Sequence, residues 1–211
     1  TTFTINIAGG NLYLANVTKD IFNGNVTFTC TNGRFNIARN DASGGGTLFN
    51  GNIILNNSGG SNNAYGFEFG GGTGGATLAS GKTISTGTGI TNGGLYLGNF
   101  IQLGSGTSTS IIMTSVNGDI GQNNLAFDRG SVFYGTVDVT APRIYLNGAT
   151  FHGTSTFRNT SMTNSQSDGG NVFNGTTLIK CQNTSQYLAM AEPDDFNGNV
   201  TFQAEANAIG R

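Results

Sequence analysis

Carboxylates are the side chains whose type and spacing could support chemistry in this sequence. Two groups of them stand close together along the chain, namely Asp119, Asp128 and Asp138, and further on Glu192, Asp194 and Asp195. Carboxylates that converge on one face can hold calcium or serve as acid and base in glycoside cleavage. Asp138 lies between Val137 and Val139 and is expected to face solvent, whereas Asp119 and Asp128 are expected in loops. Because no Asp-x-Asp pair occurs, we expect dispersed, solubilising charge, with no catalytic residue and no metal site.

Other reactive groups are scarce. His152 is the only histidine, so neither a catalytic triad nor a His-rich metal site is expected, and we interpret it as a substitute for Asn at a turn. The glycine-rich run 71–75 is not followed by Lys-Ser or Lys-Thr, so it does not predict a phosphate-binding loop. The sequence therefore predicts no cofactor and no enzyme.

The composition excludes several classes of protein. Gly, Asn, Thr and Ser make up about half of the 211 residues, and only 9% are charged. The net charge of -2 gives no basis for binding nucleic acid, which depends on Lys and Arg. No apolar run approaches the roughly 18 residues of a membrane helix, so no membrane insertion is expected. Hydrophobic residues at 36%, including 15 Phe, argue against disorder.

The abundant residue types also select the secondary structure. Gly, Asn, Thr and Ser are poor helix formers. Short apolar pieces alternate with polar residues between Gly/Asn clusters, as in Val26-Thr27-Phe28. Such alternation indicates strands, so the chain is expected to be all-β.

A repeated motif then defines the architecture. Phe-Asn-Gly followed by a short strand occurs at 22–28, 49–55, 173–179 and 196–202, and looser copies occur at 133–137 and 151–155. About ten residues after each copy a second strand is expected, for example at 35–38, 65–69, 143–146 and 187–190. Where the motif degenerates, Leu78 and Phe100 are expected to replace its Phe, which makes seven intervals between Phe22 and Phe196.

A period near 22–27 residues without helix predicts a parallel β-helix, or β-solenoid, of about 8–9 turns of roughly 18–30 residues. Parallel crossovers favour a right-handed coil. The motif phenylalanines are expected to stack inside as the structural core, and they are Phe22, Phe49, Phe133, Phe151, Phe173 and Phe196. The motif glycines are expected at turns, at a φ angle that Gly adopts cheaply, and they are Gly24, Gly51, Gly135, Gly153, Gly175 and Gly198. Asn before each Gly is expected to form amide ladders.

The two cysteines provide a check on this register. Cys30 and Cys181 each lie eight residues after a motif Phe, so they should occupy the same position in different turns. Six turns of about 4.8 Å would separate them by roughly 29 Å, well beyond the range of a disulfide. We therefore expect two buried thiols, and an intermolecular bond or a reactive thiol remains the alternative.

The tandem Phe-Asn-Gly-Asn-Val-Thr-Phe units resemble repeats of large secreted surface proteins of Bacteroidetes, which are exported by the type IX system. The resemblance covers about two-thirds of the chain, and it implies an adhesin-like, extracellular, structural role. Residues 1–211 are then expected to form one solenoid segment of a longer array, because both ends cut across the repeat. The implied partners are neighbouring repeats or copies of the same protein, together with carbohydrate or cell-surface components.

Two alternatives to a stiff rod or filament remain open, namely a polysaccharide-binding and a polysaccharide-cleaving β-helix. An enzyme should show a cleft with at least three converging carboxylates. A binding module should expose a row of aromatic side chains, such as Tyr65, Tyr96 and Tyr145. A filament should show neither, and its two ends should match in cross-section.

Overall fold

A computed structural model describes residues 1–39, 46–57, 65–114, 124–160, 164–182 and 185–205, together with the backbone of 209–210. Every strand in these ranges pairs in parallel with a strand of a neighbouring turn. Each turn contributes one short strand to each of three faces, and the chain then turns a corner. The expected parallel β-helix is therefore confirmed. The described residues include no helix long and apolar enough to cross a membrane.

Four sheets are present in the described ranges. Sheet 1 holds nine strands: β1 Thr2–Ile7, β4 Asn25–Cys30, β7 Ile53–Asn57, β10 Thr83–Ile90, β13 Ser108–Ile112, β16 Thr136–Ala141, β19 Ser155–Asn159, β22 Thr177–Cys181 and β25 Val200–Ala204. Sheet 2 holds six: β2 Asn11–Leu14, β5 Arg34–Ile37, β8 Phe67–Phe69, β11 Leu95–Leu97, β14 Asn124–Asp128 and β17 Arg143–Asn147. Sheet 3 holds eight: β3 Ile21–Phe22, β6 Thr47–Phe49, β9 Ala76–Leu78, β12 Phe100–Gln102, β15 Val132–Phe133, β18 Thr150–Phe151, β21 Val172–Phe173 and β24 Asp195–Phe196. Sheet 4 holds three: β20 Ser165–Gln166, β23 Ser185–Tyr187 and β26 Ile209–Gly210.

The motif phenylalanines line the interior at the end of the sheet 3 strands. Phe49, Phe133, Phe151 and Phe173 are fully buried, while Phe22 is half-buried and Phe196 is 36% exposed. Parallel rings of successive turns stack with centroids 4.9 to 5.2 Å apart, in the pairs Phe22–Phe49, Phe133–Phe151, Phe151–Phe173 and Phe173–Phe196. Apolar burial and ring stacking along one axis therefore hold the turns together.

The degenerate turns differ from expectation at one position. Leu78 pairs with Phe49, as expected for a substitute of the motif Phe. Phe100 does not occupy the motif position, because it pairs with Ala76. Gln102 occupies that position instead, since it pairs with Leu78 in the preceding turn and with Phe133 in the next. Gln102 is buried, and in the amide orientation that satisfies both groups its oxygen accepts bonds from the N–H of Ser108 (2.9 Å) and of Thr109 (3.2 Å). Phe100 fills the neighbouring interior space, 6.0 Å from the ring of Phe133.

The motif glycines turn out to be required for a different reason from the one expected. In the described ranges none of the six, Gly24, Gly51, Gly135, Gly153, Gly175 or Gly198, has a positive φ angle. Each instead lies so close to the backbone of the preceding turn that a Cβ would approach it within 3 Å. The obstructing atom at Gly153 is the carbonyl oxygen of Gly135, and at Gly175 it is that of Gly153. Close stacking at the corner between sheets 3 and 1, and not backbone conformation, therefore selects glycine here.

One column of left-handed residues lies at another corner, directly after the sheet 2 strands. Ala15, Ala38 and Gly70 have φ angles of 49°, 56° and 62° and follow paired strands. Their backbone N–H groups bond across the turns, from Ala38 to Leu14 (2.9 Å) and from Gly70 to Ile37 (2.9 Å). The sequence motif did not reveal this column, because two of its members are alanines.

The residues before the motif glycines form the expected side-chain ladder. The amide of Asn50 donates to Asn23 (2.9 Å), and that of Asn197 donates to Asn174 (3.0 Å). His152 occupies the Asn position, as interpreted from the sequence, and its Nδ1 lies 3.1 Å from the amide nitrogen of Asn174. Its ring also stacks on Tyr134 at 4.6 Å. The histidine is therefore engaged within the ladder.

Sheet 4 replaces sheet 2 in the last three described turns. The second strand expected at 187–190 ends at Tyr187 instead. A buried polar network accompanies the change of sheet: Asn159 donates to the hydroxyl of Ser165 (2.7 Å) and to Gln186 (3.0 Å), and Gln186 donates to the carbonyl of Ile144 (3.3 Å). Gln186 thereby satisfies the backbone carbonyl of Ile144 at the point where β17 has no partner strand in the next turn.

Candidate ligand-binding face

Among the described residues, the carboxylates do not converge. Asp138 faces solvent from sheet 1, as expected, and pairs with Arg158. Asp128 ends strand β14 and is not in a loop; it accepts bonds from the Tyr96 hydroxyl and from the backbone N–H of Arg129. Asp119 lies outside the described residues. In the part of the chain that the structure describes, no group of three or more His, Cys, Asp or Glu side chains could hold a metal ion.

The second acidic group is also dispersed. Glu192 accepts from Arg129 at 2.5 Å, and Asp194 accepts from the side-chain amide of Asn171 at 2.8 Å. Asp195 is exposed at the start of β24. These carboxylates therefore face different partners and do not form one cleft.

Tyrosines, in contrast, collect on one surface, which is the outward face of sheet 2. Strand pairing places one outward position in a straight column across six turns: Tyr13, Asn36, Glu68, Tyr96, Ala126 and Tyr145. Tyr65, just before β8, adds its ring 5.4 Å from that of Tyr96. We call this surface, with Arg34, Arg39 and Asp128 beside the column, the tyrosine face. It contains the three tyrosines named for a binding module, Tyr65, Tyr96 and Tyr145, but each of them is half-buried and not fully exposed.

The ring of Tyr96 lies flat against the sheet. A side chain at Gly98 would collide with it, since a Cβ there would come within 3 Å of its ring and hydroxyl atoms. The hydroxyl is fixed by its bond to Asp128. Burial, followed by this hydrogen bond, raises the pKa of Tyr96, and burial together with Tyr145 and Asp128 raises the pKa of Tyr65. Both phenols therefore stay neutral at physiological pH.

A charged cluster occupies the N-terminal half of the tyrosine face. Glu68 is buried on strand β8. One of its carboxylate oxygens pairs with Arg34, and the other lies 3.6 Å from the Nε of Arg39. Its carboxylate lies in the space that a side chain at Gly71 would fill. Burial and the charge of Arg39 lower the pKa of Arg34. Two guanidinium groups thus share one carboxylate.

Polar atoms beneath this cluster have no partner among the described residues. Asn36 is only 1% exposed, and neither its amide oxygen nor its amide nitrogen is bonded. The Nε of Arg34 is also buried and unbonded. A buried polar group left unsatisfied costs roughly 1–3 kcal/mol. Such groups are rare in proteins, and each calls for a structural or functional explanation.

The cysteines occupy the positions expected for them. Cys30 pairs with Ile7 in the preceding turn, and Cys181 is six strand steps away in the same column of sheet 1. Both thiols are buried and unpaired. Burial raises the pKa of Cys30 to about 11 and also raises that of Cys181.

A cavity of about 710 Å³ opens at the C-terminal end of the described coil. Ile179, Leu188, Phe196 and Phe202 line it together with Cys181. At the opposite end, Phe3 occupies an inward position of β1 and is 40% exposed. An inward phenylalanine is therefore partly exposed at each end of the described coil, Phe3 at one and Phe202 at the other.

Sequence reasoning missed the Arg34–Glu68–Arg39 cluster. These residues are separated by up to 34 positions, and only the register of β5 on β8 brings them together. The signal that could have found them is their outward position in strands that otherwise carry apolar inward residues. No family model, no curated protein and no solved structure matches the chain.

Proposed function

We propose that this chain is a structural and adhesive module of an extracellular bacterial surface protein, in which the solenoid acts as a stiff rod. The observation that carries the proposal is the parallel ladder of sheet 1, whose nine strands pair turn upon turn over the described residues, with one register shift between Thr86 and Gly89 of β10. Backbone ladders and a stacked aromatic core join each turn to its neighbours, so bending the coil would have to strain these contacts on one side.

The ends of the coil support a role built on repetition. In sheet 1, three columns of paired inward residues begin in the first strand at Phe3, Ile5 and Ile7. The same columns end in the last strand at Val200, Phe202 and Ala204. Both sets are apolar or small, and both terminal faces expose ring surface. A further turn, from the same chain or from another copy, would therefore continue the core. The extracellular location rests on the resemblance to secreted surface repeats.

Polysaccharide binding is the second candidate, and the tyrosine face favours it. We favour binding over cleavage because the two carboxylates of this face, Glu68 and Asp128, are already engaged by arginines and by Tyr96. Neither is poised to donate or remove a proton at a glycosidic bond, which requires a pair of carboxyl groups on opposite sides of that bond.

Pulling on the two ends of single molecules tests the rod. Successive motif positions are separated by 18 residues (Phe133 to Phe151) to 31 residues (Gln102 to Phe133). Turn-by-turn unwinding should thus appear as a series of force peaks spaced by about 60–110 Å of contour length, at roughly 3.3–3.6 Å per residue. A featureless extension, or one event that releases the whole chain, would contradict the proposed mechanical role.

A further inference from the structure

We infer that the N-terminal half of the tyrosine face binds an acidic polysaccharide. This inference rests on the proposed adhesive function and names the ligand of its adhesive surface. The site consists of Tyr13, Arg34, Asn36, Arg39 and Glu68, and it continues along the column toward Tyr96.

The charge balance of the site favours an anionic ligand. Arg34 and Arg39 carry two positive charges, and Glu68 supplies one negative charge. Both oxygens of Glu68 are already engaged, whereas the side chain of Arg39 is 40% exposed and that of Arg34 is 25% exposed. Donors are therefore in excess, and guanidinium groups match the geometry of carboxylates. This local positive charge stands out in a chain with a net charge of -2.

The unbonded groups under the arginines specify a ligand rich in hydroxyl groups. Asn36 offers one free acceptor and a free amide donor, and Arg34 offers a free Nε donor. A sugar hydroxyl could donate to the Asn36 oxygen and accept from the amide nitrogen or from the Nε, but Asn36 is only 1% exposed, so a neighbouring side chain would first have to move aside. Burial makes each of these bonds more favourable, because the groups have already lost their water.

The aromatic rings supply the remaining element of sugar recognition. Tyr13 is 47% exposed and neighbours Asn36 in the column, while Tyr65 and Tyr96 are half-buried with fixed rings. Tyrosine combines a large apolar surface with a polar edge, which suits the apolar face and the hydroxyl rim of a pyranose. From Tyr13 to Tyr145 the column spans five strand steps, or roughly 24 Å at about 4.8 Å per step. Tyr13, Tyr96 and Tyr145 are the column positions that reach the surface, so a linear polysaccharide lying along the rod axis would contact these three rings in turn.

Isothermal titration with alginate and polygalacturonate tests the inference, with dextran as the neutral probe. We expect the intact chain to bind at least one acidic probe and to lose affinity as salt rises, because exposed charges are screened. Arg39→Ala and Tyr13→Ala should each weaken binding at least tenfold. Arg158→Ala on sheet 1 and Tyr134→Ala at the sheet 3 corner are the matched controls, and their affinity should stay within twofold.

Circular dichroism and melting curves establish that each variant is folded. Absence of binding to both acidic probes, equal binding of dextran, or equal losses in the control variants would overturn the inference. If the chain fails to bind but still unwinds turn by turn under force, the acidic ligand is refuted and the rod stands. If binding persists without stepwise unwinding, the rod fails alone.

Discussion

Removing the ring of Phe151 is the perturbation whose consequence the structure defines best. Phe151 is fully buried, and its ring is parallel to those of Phe133 and Phe173, each 5.2 Å away. Phe127 and Phe157 contact it edge-on at 5.6 and 5.1 Å. Its replacement by Ala therefore interrupts stacking on both sides and leaves a cavity inside the coil.

The expected loss of stability is large. Truncating a buried Phe to Ala costs about 3–5 kcal/mol, and four aromatic neighbours favour the upper part of this range. For a chain of about 200 residues each kcal/mol corresponds to roughly 2–4 °C. The melting temperature of Phe151→Ala should thus fall by roughly 6–20 °C in differential scanning calorimetry.

Phe196→Ala is the matched control, because this residue carries the same motif position at the open end. It is 36% exposed, stacks on the ring of Phe173 and contacts Phe202 edge-on at 5.7 Å, so it has two aromatic neighbours where Phe151 has four. The fall in melting temperature of Phe196→Ala should be less than half that of Phe151→Ala. Equal losses in the two variants would refute a continuous aromatic core whose interior members carry most of the stability.

Three further outcomes follow from the corners and the core. Gly153→Ala should destabilise the chain clearly, because the new Cβ would press on the Gly135 carbonyl, whereas Gly9→Ala meets no atom within 4 Å and should have little effect in thermal melts. Ala38→Val should lower the melting temperature more than Ala38→Gly, since a β-branched residue is strongly disfavoured at positive φ. Equal melting temperatures of the two variants would contradict this. The pKa of Cys30 is about 11 in the folded chain and lower in the unfolded chain, so the unfolded state loses its proton first and stability should fall between about pH 9 and 11. Urea titrations should show a smaller fall over this range in Cys30→Ala.

Most of the fold could be predicted from the repeated motif, because a solenoid places equivalent residues of successive turns along one axis. Phe22 and Phe173 could be aligned from their motif alone, and Cys30 with Cys181 followed from the same spacing. The predicted register was wrong by two residues at Phe100, because Gln102 occupies the motif position. The sequence does not indicate this, since a buried, hydrogen-bonded amide is a polar residue and is not expected in a core position.

The reason for each glycine could not be derived from the sequence. A repeated Gly indicates that a side chain is not tolerated at that position. A positive φ angle and a close backbone contact both select Gly, so the sequence cannot distinguish them. Gly153 belongs to the second kind. The left-handed positions fell partly on Ala15 and Ala38, which have no such signature. The tyrosine face was partly predictable from its aromatic residues, whereas the pairing of Arg34 with Glu68 depends on the strand register.

Distances between spin labels along one outward column of sheet 1 test the central claim most directly. Thr27, Asp138 and Leu178 occupy the same column, with Asp138 four and Leu178 six strand steps from Thr27. With both native cysteines replaced by Ala, labels at Thr27 and Asp138 should lie about 19 Å apart, and labels at Thr27 and Leu178 about 29 Å, at about 4.8 Å per step. A spacing that does not grow with the number of intervening turns would contradict a coil wound around one shared core.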